Sequence, residues 1–107
     1  MYPDRKLLDD LVQRIVTSSR PLRIVLFGSA ARGTMGPYSD LDVLVVMPDD
    51  CDCRAVARTL YRQLRGLACA KDIVVVRQSD VEQFGDNPAL VMHTALVEGK
   101  ELYRAAS

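Results

Sequence analysis

The stretch Phe27-Gly28-Ser29-Ala30-Ala31-Arg32-Gly33-Thr34-Met35-Gly36-Pro37-Tyr38-Ser39-Asp40-Leu41-Asp42 lies between two apolar runs, residues 22–27 and 41–47. Both runs are rich in β-branched residues and bounded by Gly or Pro, which predicts two mostly buried strands. The segment between them holds three glycines, one proline and few bulky groups. That composition suits a backbone that turns tightly and comes close to something else.

Asp40 and Asp42 do not fit a purely structural strand. Side chains alternate along a strand, so the two carboxylates project from one face and repel each other where solvation is poor. A hard divalent cation such as Mg²⁺ relieves that repulsion and keeps positions open for substrate phosphates. The glycine-serine turn ahead of them offers backbone N–H groups and a hydroxyl to a phosphate, especially if residues 29–32 open a short helix. A phosphate site and a metal site about ten residues apart imply metal-assisted chemistry on a nucleotide.

Outward from this centre, residues 4–18 repeat Leu7, Leu8, Leu11, Val12 and Ile15 at helical spacing, with Asp4 as N-cap and Pro21 as the stop. A second helix, capped by Asp50 or Asp52, runs to Leu64 or Arg65 before Gly66. Its core face is Val56, Leu60 and Leu64, with Ala57 and Tyr61 as further members. Arg54, Arg58, Arg62 and Arg65 form a stripe on it, read as a solvated face. Residues 72–76 are a third strand, opened by Asp72 as Asp42 opens the second; if the two strands are neighbours, Asp72 completes a triad with Asp40 and Asp42. Residues 78–84 read as a loop with a short helix, and residues 89–98 as the last helix, capped by Asn87 with Pro88 in its first turn. His93 reads as packed, and residues 100–103 as a short terminal strand.

The 107 residues, 49% hydrophobic and 26% charged, are expected to form a single domain, and strands buried on both faces call for helices packed on the sheet. Fourteen basic residues balance fourteen acidic ones. Direct nucleic-acid binding is therefore disfavoured, since backbone-binding proteins are usually basic. No apolar run is long enough to span a membrane. The opening residues lack a signal-peptide core, and Cys51, Cys53 and Cys69 make an odd count, so reduced thiols in the cytoplasm are expected. Cys51-Asp52-Cys53 lacks the partners of a metal site.

Gly28-Ser29, ten further residues and Asp40-Leu41-Asp42, with a later strand-borne Asp72, resemble the signature of the DNA polymerase β-like nucleotidyltransferase superfamily. The Gly28-Ser29-Ala30-Ala31-Arg32-Gly33 wording and the Gly99-x-x-Leu102-Tyr103 ending look most like its minimal nucleotidyltransferase (MNT) members, and the likeness covers nearly all of residues 1–107. The resemblance implies an α/β (α+β) nucleotidyltransferase fold, a small mixed sheet flanked by helices, and Mg²⁺, two ions, held by Asp40, Asp42 and Asp72. It implies ATP as substrate, with Gly28 and Ser29 on the triphosphate and Arg32 assisting. The same resemblance implies that Asp72 helps activate the acceptor hydroxyl.

Relatives of this kind resemble antitoxins paired with a HEPN-domain toxin, which implies AMP transfer to a tyrosine of that partner. Two alternatives stand beside it: an antitoxin that neutralises by binding alone, and adenylylation of a small molecule or an RNA end. Tyr38, Tyr61 and Tyr103 read as packing residues rather than self-modified ones.

Overall fold

In a computed structural model, which describes residues 2–36, 40–67 and 69–106, Asp4 caps the first helix as the sequence predicts. Its carboxylate accepts the Lys6 N–H at 3.0 Å, and α1 runs Arg5–Ser19. Arg20 ends the helix in the left-handed region, at φ 50°, and returns its N–H to the Val16 carbonyl. Pro21 forbids another turn. There follow strand β1 (Arg23–Phe27), the short helix α2 (Gly28–Arg32), strand β2 (Leu41–Met47) and helix α3 (Cys53–Gln63). Strand β3 (Lys71–Arg77), helices α4 (Gln78–Phe84) and α5 (Val91–Glu98) and strand β4 (Lys100–Arg104) complete the order.

The strands make one mixed sheet, ordered β3-β2-β1-β4. β1 is antiparallel to β2 and β4, whereas β2 and β3 are parallel. A parallel pair needs a crossover, and α3 supplies it. The continuous apolar runs of the sequence reflect burial on both sides. Leu41, Val43, Val45 and Met47 pack with Ile24 and Leu26 against Leu11 and Ile15 of α1 and Leu60 of α3. Leu44 and Val46 face the other way, with Val25 and Phe27, against Met92 and Ala95 of α5. A sheet covered on both faces has no polar side to alternate with.

Three local expectations are corrected. The last helix begins at Val91 rather than residue 89, because Asn87 Oδ1 takes the Ala89 N–H at 3.0 Å and the Leu90 N–H goes to the Asn87 carbonyl. The asparagine thus closes a turn of its own instead of capping the helix. α4 follows β3 without an intervening loop, since Asp80 accepts the Arg77 N–H at 3.1 Å and Asp49 the Ser79 N–H at 2.8 Å. Tyr61 is not a core residue: it is 41% exposed, whereas Leu60 and Leu64 are fully buried. Tyr38 lies outside the described residues. Among those described, no helix is long and apolar enough to cross a membrane.

Candidate active site

Strand pairing brings the predicted residues together. Phe27 stands opposite Asp42 in the β1–β2 ladder, and Asp42 stands opposite Asp72 in the β2–β3 ladder. The two aspartates are therefore lateral neighbours near the starts of two parallel strands. Alternation puts Asp42 on the face of Leu44 and Val46, the face that α5 covers further along. Asp40 immediately precedes the strand and is exposed.

The electrostatics register this grouping. The Asp42 carboxyl is raised above the ordinary aspartate range, chiefly by burial, then by the charges of Asp72 and Asp40; the Arg32 guanidinium opposes them in part. Four of the predicted residues are thus within electrostatic reach of one another.

Gly28 is required twice over. Its φ is +70°, and a methyl group on it would run into the Asp42 carboxylate. No other residue type permits both the backbone angle and the close approach. Phe27, in extended conformation, precedes α2 without a side-chain cap, which leaves the first-turn N–H groups around Ser29 uncapped. The Ser29 carbonyl accepts the N–H groups of Gly33 and Thr34, folding the loop back beyond the turn. Arg32, at the end of α2, faces Glu98 Oε2 at 3.6 Å, with both side chains about half exposed.

Tyr61 is the neighbour that the sequence reading did not assign to the site. Its hydroxyl donates to Asp72 Oδ1 at 3.3 Å and accepts the Ile73 N–H at 2.9 Å. Helical phase gave no signal for it, since Tyr61 lies four residues after Ala57 and three before Leu64 and so reads as part of the core face. Its reach across the sheet edge to Asp72 depends on tertiary placement alone.

Carboxylate oxygens brought side by side, one of them poorly solvated and short of positive charge, suit a hard divalent cation in their donor chemistry. The backbone supplies the grouping, but the rotamers leave it open. Among the described residues no three His, Cys, Asp or Glu side chains converge to a closed ligand set, and one Asp72 oxygen is engaged by Tyr61.

The remaining chemistry-bearing groups lie apart from this arrangement. His93 Nδ1 sits 3.0 Å from the Gly85 carbonyl, a packed histidine as expected. Cys51 and Cys53 place their sulfurs 3.9 Å apart, and burial with the Cys53 contact pushes the Cys51 thiol up to about 11. All three thiols are free.

This architecture, a mixed sheet flanked by helices with a glycine-serine turn leading into α2, is that of a nucleotidyltransferase. The chain belongs to the nucleotidyltransferase domain family, whose model matches residues 5–91. Among curated proteins it is similar to the bifunctional uridylyltransferase/uridylyl-removing enzyme of Burkholderia orbicola (strain AU 1054). The identity is 38% over 61 residues, which is 54% of this chain and only 7% of that enzyme's length. Among solved structures it resembles a chain of a toxin–antitoxin complex with AMP-PNP, at a TM-score of 0.69 and 20% identity, covering 92% of this chain and 73% of that one. A mutant of the toxin–antitoxin MntA-HpeT gives 0.68 and 18%, with the same coverage. Likeness at this identity establishes the fold.

Proposed function

We propose that residues 1–107 act as one minimal nucleotidyltransferase unit. In this reading the chain moves AMP from ATP to a hydroxyl, a tyrosine of a HEPN-type toxin partner, and serves as the antitoxin in the cytoplasm. The single observation that supports this most is the apposition of Asp42 and Asp72 across β2 and β3, with Gly28 against Asp42. The toxin–antitoxin neighbours, one of them bound to AMP-PNP, support the nucleotide and the kind of partner.

In this reading Gly28 and Ser29 receive the triphosphate on the uncapped first turn of α2. Arg32 adds positive charge there. Its exposed contact with Glu98 is worth under about 1 kcal/mol, so a triphosphate competes with it readily. Asp40, Asp42 and Asp72 would hold Mg²⁺, two ions, which when bound would supply charge stabilisation for an in-line displacement. The acceptor hydroxyl gives its proton to Asp72 as its oxygen attacks the α-phosphorus. The bond to the bridging oxygen breaks and pyrophosphate leaves. Positioning and electrostatics carry nearly all of the catalysis in this reaction class.

The test is co-expression with the protein encoded beside this chain, the candidate toxin, followed by intact-mass analysis of that protein. Wild-type chain adds AMP to a toxin tyrosine; the Asp40→Asn, Asp42→Asn double mutant adds none and leaves the toxin active. Should the double mutant neutralise its partner as well as wild type does, the chain works by binding, and transfer is dispensable.

A further inference from the structure

Of the described tyrosines, Tyr61 is the one whose hydroxyl is bonded to an acidic side chain. α3 carries it to the outer edge of β3, where the oxygen sits between Asp72 Oδ1 at 3.3 Å and the Ile73 N–H at 2.9 Å. A phenol, with an ordinary pKa of about 10, is a weak nucleophile at neutral pH. Two aids turn it into a competent one: a base that takes its proton and a donor that stabilises the developing oxyanion. Here Asp72 is in the first position and the Ile73 N–H in the second.

A packing role explains only half of this arrangement. The Ile73 N–H faces outward on an edge strand and gains a partner from the hydroxyl, which blunts that edge. Such a role needs no carboxylate on the other side of the oxygen, and it does not need Tyr61 to remain 41% exposed. In the reaction proposed above, Asp72 is the group that receives the acceptor's proton. The hydroxyl already hydrogen-bonded to it belongs to the chain itself.

We infer that Tyr61 is an acceptor for the chain's own nucleotidyl transfer. The inference rests on the proposed activity and extends it to a modification site within the same chain. The Tyr61 Oη–phosphorus bond forms at the α-phosphorus of ATP while the bond to the bridging oxygen breaks. Pyrophosphate leaves and the phenolic proton passes to Asp72. Because base and nucleophile belong to one chain, the step is intramolecular. The AMP group then occupies the space beside Asp72 that a partner's hydroxyl must enter, so self-modification and transfer to the partner compete.

The experiment uses the purified full chain with ATP and Mg²⁺, read by intact mass and peptide mapping, beside a parallel incubation that includes the toxin. The expected result is one AMP on Tyr61, added at a first-order rate that does not change with protein concentration. It is lost in Tyr61→Phe and retained in Tyr103→Phe. Modification of the toxin while the chain stays unlabelled, or is labelled at another residue, overturns this inference and leaves the proposed activity standing. Labelling of neither protein overturns both. If Tyr61→Phe does not fold, the mapped position on the wild-type chain decides the matter alone.

Discussion

Burial raises the Asp42 carboxyl above the ordinary aspartate range; Asp72 and Asp40 add to the effect and Arg32 only partly offsets it. A carboxyl raised in the folded state holds its proton more tightly there than in the unfolded chain. It contributes stability at pH below its unfolded value, and that contribution is lost as the pH rises through the folded value. At neutral pH the ionised group therefore works against folding. Asp42→Asn is expected to melt above wild type at pH 7 in metal-free buffer. The margin should narrow as the pH falls toward the ordinary carboxylate range of about 4. Nucleotidyl transfer by the same variant should fall by on the order of 10²–10³-fold or more, the scale of losing one preorganised electrostatic group. Thermal melts over a pH series check the first part; a margin that widened on acidification would contradict it. Although Asp40 falls just before β2 and outside its alternation, single residues were legible where spacing was local: Gly28 from its turn and Asp42 from its strand. The contact of Arg32 with Glu98 and that of Tyr61 with Asp72 were not, because both join segments distant in sequence.

Helix α3 shows the same division at the scale of an element. Its cap and its buried Leu60 were readable from Asp52 and the apolar spacing, but its stop was not: the helix ends at Gln63 with Leu64 as C-cap, short of the Leu64 or Arg65 end read from Gly66. Strand β2 was readable to the residue, because a strand buried on both faces is a continuous apolar run with sharp ends. The start of α5 was not, since Asn87 can close a turn or cap a helix and only the surrounding chain decides which. The charge of α3 is unusual for a chain of zero net charge. Residues 53–71 hold four arginines and one lysine and no acidic residue. Arg14, Arg23, Arg32 and Arg104 each meet a carboxylate; among the described residues Arg54, Arg58, Arg62 and Arg65 meet none, and all four are exposed. Like charges four residues apart on a helix cost about 0.2–0.5 kcal/mol per pair. Arg58→Glu converts two such contacts, with Arg54 and with Arg62, from repulsive to attractive. It is expected to stabilise the fold by about 0.5–1 kcal/mol at low salt, with the gain shrinking as salt is added. Urea denaturation at two ionic strengths measures this, and an unchanged midpoint at low salt would show that the stripe is already screened.

Across the whole molecule, the two hydrophobic layers hold β2 at the centre while the acidic groups gather where β2 and β3 begin. An anionic triphosphate approaching that end meets Asp40, Asp42 and Asp72, and at Asp42 the Arg32 guanidinium offsets the other two carboxylates only in part. In the proposed reading metal and nucleotide bind together, and each alone should bind poorly. A ligand that binds only the folded state stabilises it by about 2.7 kcal/mol at one hundred times its dissociation constant. For a domain of this size each 1 kcal/mol moves the melting midpoint by about 4–8 °C. ATP with Mg²⁺ near saturation is thus expected to raise the midpoint by on the order of 10 °C. Mg²⁺ alone, or ATP with chelator, should move it little. In the Asp40→Asn, Asp42→Asn double mutant the combined shift should vanish, although the fold persists, because the substitutions remove repulsion and no buried apolar contact. Differential scanning fluorimetry on the four conditions tests the coupling directly. An equal shift from ATP in chelator would mean that the nucleotide binds without the carboxylates, at some other positive surface, and the proposed site would then be misplaced.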